Sequence, residues 1–558
     1  MDLAVYAYII AAAVMVPMAR VCGAVHGYHE TKDSVFMILS ALGFIAVLAL
    51  GGLPFNPSIA WKCLLGVVAL TSLSLLWCDN PAAAVREIPK WYAILFFVTL
   101  AGMIPQAVLM PALFLPAIAG ALYGGFQQIT AKDPLDKYVH YMMQRHRKKL
   151  RFYGWMGNSN YSGIWLASQI YVGLWLVINH SLWWLPGLGI VFAGLIMTRC
   201  RAAFLGVMVG FLPFIPSTLL VFVVPLFVAF AIAGWKRLQT LVTRFHLWRV
   251  AVRIWMENPF LGNGPATYRR KMFRAQAVLN AKDPTILGDV ETPGRIESPL
   301  ARRPHNDYLE TLVEIGVIGL FLWLGFVVLS ILGAHDPEIV GGLLAGATGM
   351  MFFYPQRVIG IGLPFYALAG MGLAQATPAT ILPVSPVAGL ILAAVAVLLA
   401  WRFGFQYIRG VRFFFKGMLS NPNKAEASDY LMKALHCDPK NGYYLAEAAR
   451  VFVKKAPALA LQYSQQAINH YDGEKLEWSL WKQLGSMLLA NNAVHAARAA
   501  FGMALYLNPS HKAAKDLLVH CDRTIRHIEK QVRKHQGALK KKGGIYVPQD
   551  PKIKIVRG

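Results

Sequence analysis

The sequence predicts an all-α protein, in which a polytopic α-helical membrane domain of 12 or 13 spans is followed by a soluble domain of α-helical repeats. Three observations support this fold class. Of the 558 residues, 56% are hydrophobic and only 15% are charged, whereas about 25% of residues are charged in soluble domains. The apolar residues form blocks of about 20, which match the ~30 Å hydrocarbon core of a bilayer. From residue 401 the composition becomes that of a soluble protein, and a helical repeat begins.

The apolar blocks occupy residues 1–400, the predicted membrane domain. We place the spans at about 3–21, 35–53, 59–77, 91–105, 107–125, 160–178, 181–198, 202–214, 216–234, 312–333, 338–354, 358–376 and 381–400. The first block lacks a basic start and a small-residue cleavage site, so we interpret it as a span rather than as a signal peptide. A long polar loop, 235–310, separates the ninth span from the tenth.

Residues 401–525 contain a repeat with a period near 34 residues. Ala434, Ala467 and Ala504 take equivalent places, at intervals of 33 and 37 residues, and Trp481 opens a W-x-x-L-G pattern before the third copy. A period of this length, with small residues at helix crossings and Asp-Pro or Asn-Pro after a helix, is typical of tetratricopeptide helical hairpins. An irregular helical domain is the alternative.

Positive charge is concentrated outside the apolar blocks. The net charge is +26, and basic residues cluster in 126–155, in 235–304 and after 401. We predict that 526–558 is a basic flexible tail. Basic stretches attract anions such as phosphate and lipid headgroups. No nucleic-acid-binding module is recognisable, so we expect no nucleic-acid partner. The six cysteines show no metal-ligand spacing, and we expect neither a metal site nor a cofactor.

Ionisable residues near the spans are the candidates for chemistry, because a charge within a bilayer is costly. Arg199 and Arg201 lie between two apolar blocks, where they could also simply snorkel to the headgroups. Arg244 and Arg249 precede a Gly-x-Gly turn, and an interfacial helix without chemistry is the alternative there. His305 lies directly before the tenth span. A loop histidine is often only solvated, but it can accept a proton from a hydroxyl group at neutral pH.

Five segments together resemble the O-antigen ligase family of bacterial membrane glycosyltransferases, which shares its core with O-antigen polymerases and some protein O-oligosaccharyltransferases. The segments are GWMGNSNYSGIWLA (154–167), TRCRAAFLG (198–206), TRFHLWRVAVRIWMENPFLGNGPATY (243–268), RPHNDYLETLVEIGVIGL (303–320) and FFYPQRVIGIGLPFYALAG (352–370). They are similar, in this order, to the family patterns G-N-x-N, T-x-S-R-G-A, R…W…P-L-L-G-x-G, H-N-x-x-L…E-x-G-x-x-G and F…P…R. The resemblance covers about 150–375. Cys200 and Ala202 depart from the usual Ser and Gly.

The resemblance implies roles for the matched residues. In the family, two arginines hold the pyrophosphate of an undecaprenyl-linked glycan, and a periplasmic histidine acts on the acceptor hydroxyl. His305 matches this histidine, Arg201 matches the first arginine, and Arg244 is the candidate for the second, with Arg249 as its rival. A planar guanidinium can bind phosphate oxygens in a bidentate manner. Further substrate-binding candidates within the matched motifs are Arg303, Asn306, Asn158 and Asn160.

The function implied by the resemblance is that of a metal-independent enzyme of the bacterial inner membrane. It would move a glycan from undecaprenyl pyrophosphate to an acceptor such as lipid A-core. O-antigen polymerisation and transfer to protein are alternatives, and so is a non-catalytic scaffold or transporter whose repeats bind a protein partner. With a cytoplasmic N-terminus and nine spans before the polar loop, His305 faces the periplasm. The positive-inside rule favours the opposite orientation, because 126–155 would also lie outside.

Overall fold

The protein is a bundle of membrane-type helices followed by a row of helical pairs. The structure is a computed structural model, and it describes residues 3–19, 27–130, 132, 152–216, 239–282, 303–420, 425–471, 477–509 and 511–541. The helices of the bundle are α1 (Leu3–Met18), α2 (Gly27–Ala49), α3 (Ile59–Leu73), α4 (Pro81–Ala101), α5 (Gln106–Thr130), α6 (Ser159–Asn179), α7 (Leu185–Thr198), α8 (Arg201–Gly210), α9 (Gln239–Trp255), α10 (Thr267–Lys282), α11 (Asp307–Gly333), α12 (Pro337–Phe352), α13 (Ile359–Ala376) and α14 (Pro386–Leu399). Two short strands, β1 (Gly52–Phe55) and β2 (Thr380–Pro383), pair antiparallel.

Seven helical stretches of the described chain are long and apolar enough to cross a membrane. They are Thr31–Ala49, Ile59–Leu76, Gln106–Thr130, Ser159–Asn179, Asp307–Gly333, Ile359–Ala376 and Pro386–Leu419. Three more apolar stretches are shorter, namely Leu3–Met18, Leu182–Thr198 and Arg201–Phe214. The all-α, multi-pass membrane fold is therefore confirmed. The predicted span at 216–234 lies outside the described residues from 217 onward, and the total of 12 or 13 spans stays a prediction.

The helices of the bundle differ in how far other helices enclose them. Helices α6 and α13 lie enclosed by other helices, and α6 buries the polar side chains of Ser168 and Gln169 there. Helix α14 lies at the edge, and its leucine and valine side chains are exposed. In a bilayer such a surface is covered by lipid.

Polar contacts between helix ends sort these ends onto two faces of the bundle. On one face, Asp336 accepts hydrogen bonds from the side-chain amides of Gln106 (3.1 Å) and Gln375 (2.6 Å). Strands β1 and β2 lie there too, since Asn56 after β1 donates to the carbonyl of Thr377 before β2 (2.7 Å); we call this the sheet face. Helix α11 begins at the opposite face, directly after His305, which we call the His305 face. Helix α14 starts at the sheet face and crosses the bundle, so its C-terminal end lies at the His305 face.

Helix α4 is longer than the span predicted from residue 91. It begins at Pro81, and the side chain of Asn80 accepts a hydrogen bond from the backbone of Ala83 as the helix cap. The additional turns contain Arg86, Glu87 and Lys90, which hydropathy excludes from a membrane span. They are accommodated because each forms an ion pair in the folded protein.

The predicted domain boundary at residue 401 corresponds to no break in the chain. Helix α14 continues through a π-helical turn (Ala400–Phe405) into α15 (Gln406–Leu419). The composition changes here because the helix leaves the apolar bundle, but its backbone hydrogen bonding continues. The membrane helix and the first C-terminal helix are therefore one continuous element.

The C-terminal helices pack as successive pairs on the His305 face. They are α16 (Ala425–Cys437), α17 (Gly442–Phe452), α18 (Pro457–Asn469), α19 (Glu477–Ala490), α20 (Val494–Leu507) and α21 (Lys512–Lys541). Helix α15 packs on α16, α17 on α18, and α19 on α20. Ala434, Ala467 and Ala504 each lie in the second helix of a pair and are fully buried. The identification of these pairs as tetratricopeptide repeats stays a prediction.

The predicted flexible tail at 526–558 is wrong for its first part, because α21 is helical to Lys541. Near its start, Leu517, Cys521 and Ile525 pack against Phe501 of α20. This packing supplies the nucleus that an isolated helix lacks, and the following Lys, Arg, Glu and Gln residues favour helix propagation. Residues 542–558 lie outside the described part of the chain.

The C-terminal helices are joined to the bundle by two ion pairs with buried carboxylates. Arg86 of α4 lies 2.9 Å from Asp438, and Arg274 of α10 lies 2.9 Å from Glu477. Both acidic side chains are almost fully buried. Trp478 adds an apolar contact, since it belongs to the core that α9 and α10 form. Helix α10 therefore links the C-terminal helices to the His305 face.

Helix α11 is interrupted at Gly316, where φ is 67° and ψ is −169°. This conformation is accessible essentially only to glycine. A turn formed by 258–264 fills the gap and binds the backbone groups that the interruption leaves free, as the interior of a membrane requires. The hydrogen bonds run from Asn263 N to Val313 O (2.9 Å), from Gly264 N to Glu314 O (2.8 Å) and from Val317 N to Pro259 O (3.0 Å).

We expect Gly316→Ala to destabilise the protein strongly. The backbone strain costs about 1–3 kcal/mol, and a methyl group at this position would also clash with the carbonyl oxygen of Phe260. The measurement is the midpoint of thermal unfolding in detergent. Gly389→Ala is the matched control, because a methyl group there meets nothing within 4 Å. A Gly316→Ala protein as stable as this control would show that the interruption is not required for the fold.

Candidate active site

A buried ionic network lies beside His305 and connects α2, α4 and α10. Lys90 lies 2.6 Å from Glu87 and 3.2 Å from Asp33, and Arg269 of α10 lies 3.4 Å from Glu87. All four side chains are less than one-fifth exposed. Buried charges are tolerated only when they are paired and hydrogen-bonded. The network therefore fixes the relative positions of these helices at the His305 face.

A second part of the network connects α11 to the segment before α13. Arg357 lies 2.5 Å from Glu314, and both side chains are nearly inaccessible to solvent. The other carboxylate oxygen of Glu314 accepts a hydrogen bond from the backbone of Ala266 (2.8 Å). The carbonyl of Arg357 accepts a hydrogen bond from Lys90 (3.2 Å), which joins the two parts. One side chain, Glu314, thus holds α11, the Gly-x-Gly turn and the segment 355–357 together.

Arg303 takes part in this network, although the sequence predicted that it binds substrate. Its guanidinium is paired with the buried carboxylate of Glu310. Burial opposes the charge on Arg303, but the carboxylates of Glu310 and Glu87 outweigh this effect, so that the pKa of Arg303 is raised above its usual value. The guanidinium of Arg303 is thus held by a carboxylate, and its role as a substrate ligand stays a prediction.

His305 lies in the turn before α11 with a left-handed backbone, φ 53°. Its imidazole makes edge contacts with two aromatic rings of the segment that follows α12. The centroid of the imidazole lies 5.5 Å from that of Phe353 and 5.3 Å from that of Tyr354. The next turn is held in place as well, because Asp307 donates its backbone N–H to the carbonyl of Phe353 (3.1 Å) and accepts a hydrogen bond from Gln356 (2.9 Å). His305 thus lies between the start of α11 and the aromatic residues after α12.

Arg244 of α9 packs against Phe352 and Phe353, the second of which also contacts His305. Its guanidinium carbon lies 5.0 Å from the ring centroid of Phe353 and 5.6 Å from that of Phe352. Burial lowers the pKa of Arg244, but an arginine stays protonated in a protein. Within the described part of the chain, Arg244 makes no ion pair with a carboxylate. It is a partly buried cation on an aromatic surface, a few ångströms from the residues that contact His305.

Arg201 begins α8, and its side chain is exposed at the same face. The preceding residue, Cys200, is buried against Gly163 of α6. Burial raises the pKa of Cys200 to about 11, and the nearby charge of Arg244 opposes this effect. Cys200 is therefore a neutral thiol, and it shows that the turn carrying Arg201 lies close to Arg244. The structure thus places Arg201, Arg244 and His305 on one face, and their roles at the site stay predictions.

Of the remaining substrate-binding candidates, two cap helices and two are exposed, and their roles in binding stay predictions. Asn158 and Asn306 are helix caps: their side chains accept hydrogen bonds from the backbone of Asn160 (2.8 Å) and Leu309 (3.0 Å). Asn160 is exposed at the start of α6. Arg249 is exposed and lies five residues after Arg244, about 140° around the helix. Between the two rival arginines, the structure favours Arg244.

The described residues contain no group of three or more histidine, cysteine, aspartate or glutamate side chains arranged to hold a metal ion. The polar groups that surround the candidate site are instead arginines, tyrosines and the paired carboxylates. The chemistry that these groups offer is binding of an anion and movement of a proton.

Sequence reasoning missed the ionic network and the aromatic surface. Asp33, Glu87 and Lys90 lie just before predicted spans. A charge near the bilayer interior is energetically costly, and this cost is the signal by which a sequence can indicate such residues. Phe353, Tyr354 and Arg357 lie in the segment 352–370, whose pattern was recognised without roles being assigned to its residues. Their roles depend on contacts with α9 and α11, which no local pattern reveals.

Comparison with known proteins identifies one match. Residues 158–324 match the family model described as O-antigen ligase. No curated protein matches the chain at significant similarity. The matched segment contains Arg201, Arg244 and His305 and ends within α11, so the C-terminal helices and the segment 352–370 lie outside it. The match supports an O-antigen ligase-type enzymatic role at the level of the family.

We expect Arg357→Ala to lower the free energy of unfolding by about 3–5 kcal/mol, because it leaves Glu314 as an unpaired buried charge. Arg253→Ala is the control, since its pair with Glu257 is 3.8 Å long and more than one-third exposed. Loss of such a pair costs less than about 1 kcal/mol. Denaturant-induced unfolding in detergent, followed by tryptophan fluorescence, measures both. Equal effects of the two substitutions would show that the Arg357–Glu314 pair does not hold the site together.

Proposed function

Because the segment that carries the site matches the O-antigen ligase family, we propose that this protein transfers a glycan from undecaprenyl pyrophosphate to the hydroxyl group of an acceptor. The observation that carries the proposal is that Arg244, unlike the basic side chains around it, is not paired with a described carboxylate. Four other basic side chains near the site, Lys90, Arg269, Arg303 and Arg357, are each paired with a carboxylate. Arg244 is partly buried and has no such partner among the described residues.

A partly buried cation without a carboxylate is suited to an anion from outside the protein. In a region of low dielectric, a guanidinium attracts phosphate oxygens more strongly than it does in water. Arg201 adds a second guanidinium on the same face, so the two can bind one pyrophosphate. The charge on the pyrophosphate increases as it departs from the sugar, and fixed positive groups stabilise that transition state more than the ground state.

His305 supplies the base in this proposal. The acceptor hydroxyl loses its proton to a ring nitrogen of His305 while its oxygen forms a bond to the anomeric carbon of the glycan. The bond between that carbon and the pyrophosphate oxygen breaks, and its electron pair stays on the pyrophosphate. The products are the glycosylated acceptor, undecaprenyl pyrophosphate and a protonated imidazole, which releases its proton to water. No oxidant or metal is needed for this balance.

Lipid A-core is the acceptor that we propose first, in keeping with the matched family. Transfer to a protein is the second candidate, because the C-terminal helices lie on the His305 face, where they could hold a polypeptide close to the site. Polymerisation would use a second lipid-linked glycan as the acceptor. A scaffold or transporter is the alternative from another class, and it does not require His305 for any glycan transfer. Mass spectrometry of cell-surface glycans, with and without His305→Ala, distinguishes these cases.

We further propose that the protein resides in the bacterial inner membrane with its His305 face in the periplasm. The distribution of positive charge favours the reverse orientation by the positive-inside rule. The described loops on the sheet face, 50–58, 102–105, 180–184, 334–336 and 377–385, contain no lysine or arginine. In our proposal the basic residues of the His305 face are explained by a second requirement, which is attraction of an anionic lipid-linked donor.

The roles of Arg244 and His305 should separate in transfer assays. Arg244→Ala should raise the donor concentration needed for half-maximal rate, because the pyrophosphate loses a ligand. His305→Ala should slow transfer by about 10²–10⁴-fold, as loss of a general base does, with little change in donor affinity. Arg249→Ala is the control and should change neither quantity. If His305→Ala abolished donor binding instead, His305 would be a phosphate ligand and not the base.

Cysteine accessibility tests the orientation. Val453, directly after α17, is exposed, so Val453→Cys should react in intact spheroplasts with a thiol reagent that cannot cross the membrane. The wild-type protein is the background control, since its described cysteines are buried or half-buried. Labelling only after the membrane has been opened would place the His305 face in the cytoplasm, as the positive-inside rule suggests.

A further inference from the structure

Tyr354 lies where three parts of the candidate site meet. Its ring centroid is 5.3 Å from that of His305. The guanidinium carbon of Arg303 lies 5.2 Å from the same ring, and the hydroxyl group of Tyr354 is hydrogen-bonded to that of Tyr161 in α6. The matched family segment ends at residue 324, so the comparison assigns nothing to Tyr354.

The imidazole of His305 needs external support, because the backbone that carries it is held in a conformation that few residues adopt. A left-handed backbone at a residue other than glycine persists only where its surroundings hold it. Phe353 and Tyr354 meet the imidazole at interplanar angles of 76° and 61°. Edge-to-face contacts of this kind are favourable and directional. The two rings therefore restrict the rotation of the imidazole.

The hydrogen bond between the two tyrosines determines where the ring of Tyr354 lies. Tyr161 is buried at the start of α6, a helix that is itself enclosed by the bundle. Its ring also lies 5.6 Å from that of Tyr354 and 6.3 Å from that of Phe353. On the other side of Tyr354, Arg303 is held by Glu310. Tyr354 is thus positioned by the rigid core on one side and by the ionic network on the other.

We propose that Tyr354, held by Tyr161, is a positioning residue that sets the orientation of the His305 imidazole for proton transfer. The inference rests on the proposed function, in which His305 is the base. It gives the start of α6 a role at the site, although the described residues there supply no charged group to it. It also adds two residues to the site that act through His305 and not on the substrate.

The test removes only the hydroxyl groups. Tyr354→Phe and Tyr161→Phe keep the rings and their packing, and each removes the same hydrogen bond. Each should slow glycan transfer by about 10- to 100-fold, the effect of an ångström-scale displacement of a catalytic group, while the donor concentration for half-maximal rate stays unchanged. The rate is measured in isolated membranes that carry the full-length variant and supply endogenous acceptors.

Tyr171→Phe is the matched control. Tyr171 lies in α6, the helix that also contains Tyr161. Its buried hydroxyl group donates a hydrogen bond to the carbonyl of Val207, away from the aromatic residues around His305. Loss of this bond should leave transfer unchanged, whereas a general effect of deleting a buried tyrosine hydroxyl would slow all three variants alike. Equal rates for Tyr171→Phe and Tyr354→Phe would overturn the inference.

Combined substitutions distinguish positioning from independent structural effects. The double variant Tyr161→Phe/Tyr354→Phe should be no slower than the slower single variant, because either single substitution already breaks the hydrogen bond between the two tyrosines. In a protein that already carries His305→Ala, Tyr354→Phe should cause no further loss. Additive losses in either combination would overturn the inference. If His305→Ala impairs transfer and the tyrosine variants do not, only the positioning role fails; if His305→Ala has no effect, the proposed base fails with it.

Discussion

The ion pair between Arg357 and Glu314 is the interaction on which the arrangement of the site depends. Both side chains are removed from water, so each charge would be costly without the other. Glu314 also binds the backbone of the turn after Gly264, and the carbonyl of Arg357 binds Lys90. This pair therefore connects the first half of α11, the turn that interrupts it and the helices α4 and α13. The geometry around His305 can be well defined because it is built on these fixed points.

The His305 face contains two kinds of basic side chain, those paired with carboxylates and those without a described carboxylate partner. Carboxylates are paired with the basic side chains of the network. Arg244 and Arg201 remain as positive groups without a described carboxylate partner. In our proposal this difference directs an anion to Arg244 and Arg201, because the neighbouring charges are already compensated. The absence of lysine and arginine from the described loops of the sheet face makes this asymmetry larger.

The aromatic residues after α12 connect Arg244, the candidate for anion binding, with His305, the candidate for proton transfer. Phe353 contacts both Arg244 and His305, so in our proposal a phosphate bound by Arg244 would lie close to the imidazole. Tyr354 and Tyr161 extend this surface to the start of α6. The C-terminal helices are attached to the same face through α10, which means that a large acceptor held by them would not have to cross the bilayer to reach His305.

The sequence by itself determined the all-α membrane fold, because burial in lipid demands long apolar helices that hydropathy reveals directly. It also singled out Arg201, Arg244 and His305 as candidates, since their surrounding motifs are local in the chain. Only the tertiary structure decided that Arg303 is paired with Glu310, that α4 and α21 extend beyond their predicted limits, and that Arg244 packs against Phe353, which also contacts His305. The physical reason is the same in each case. Whether a charge is free, and whether a polar turn can be helical, depends on partners supplied by distant segments, and these partners become neighbours only when the helices pack.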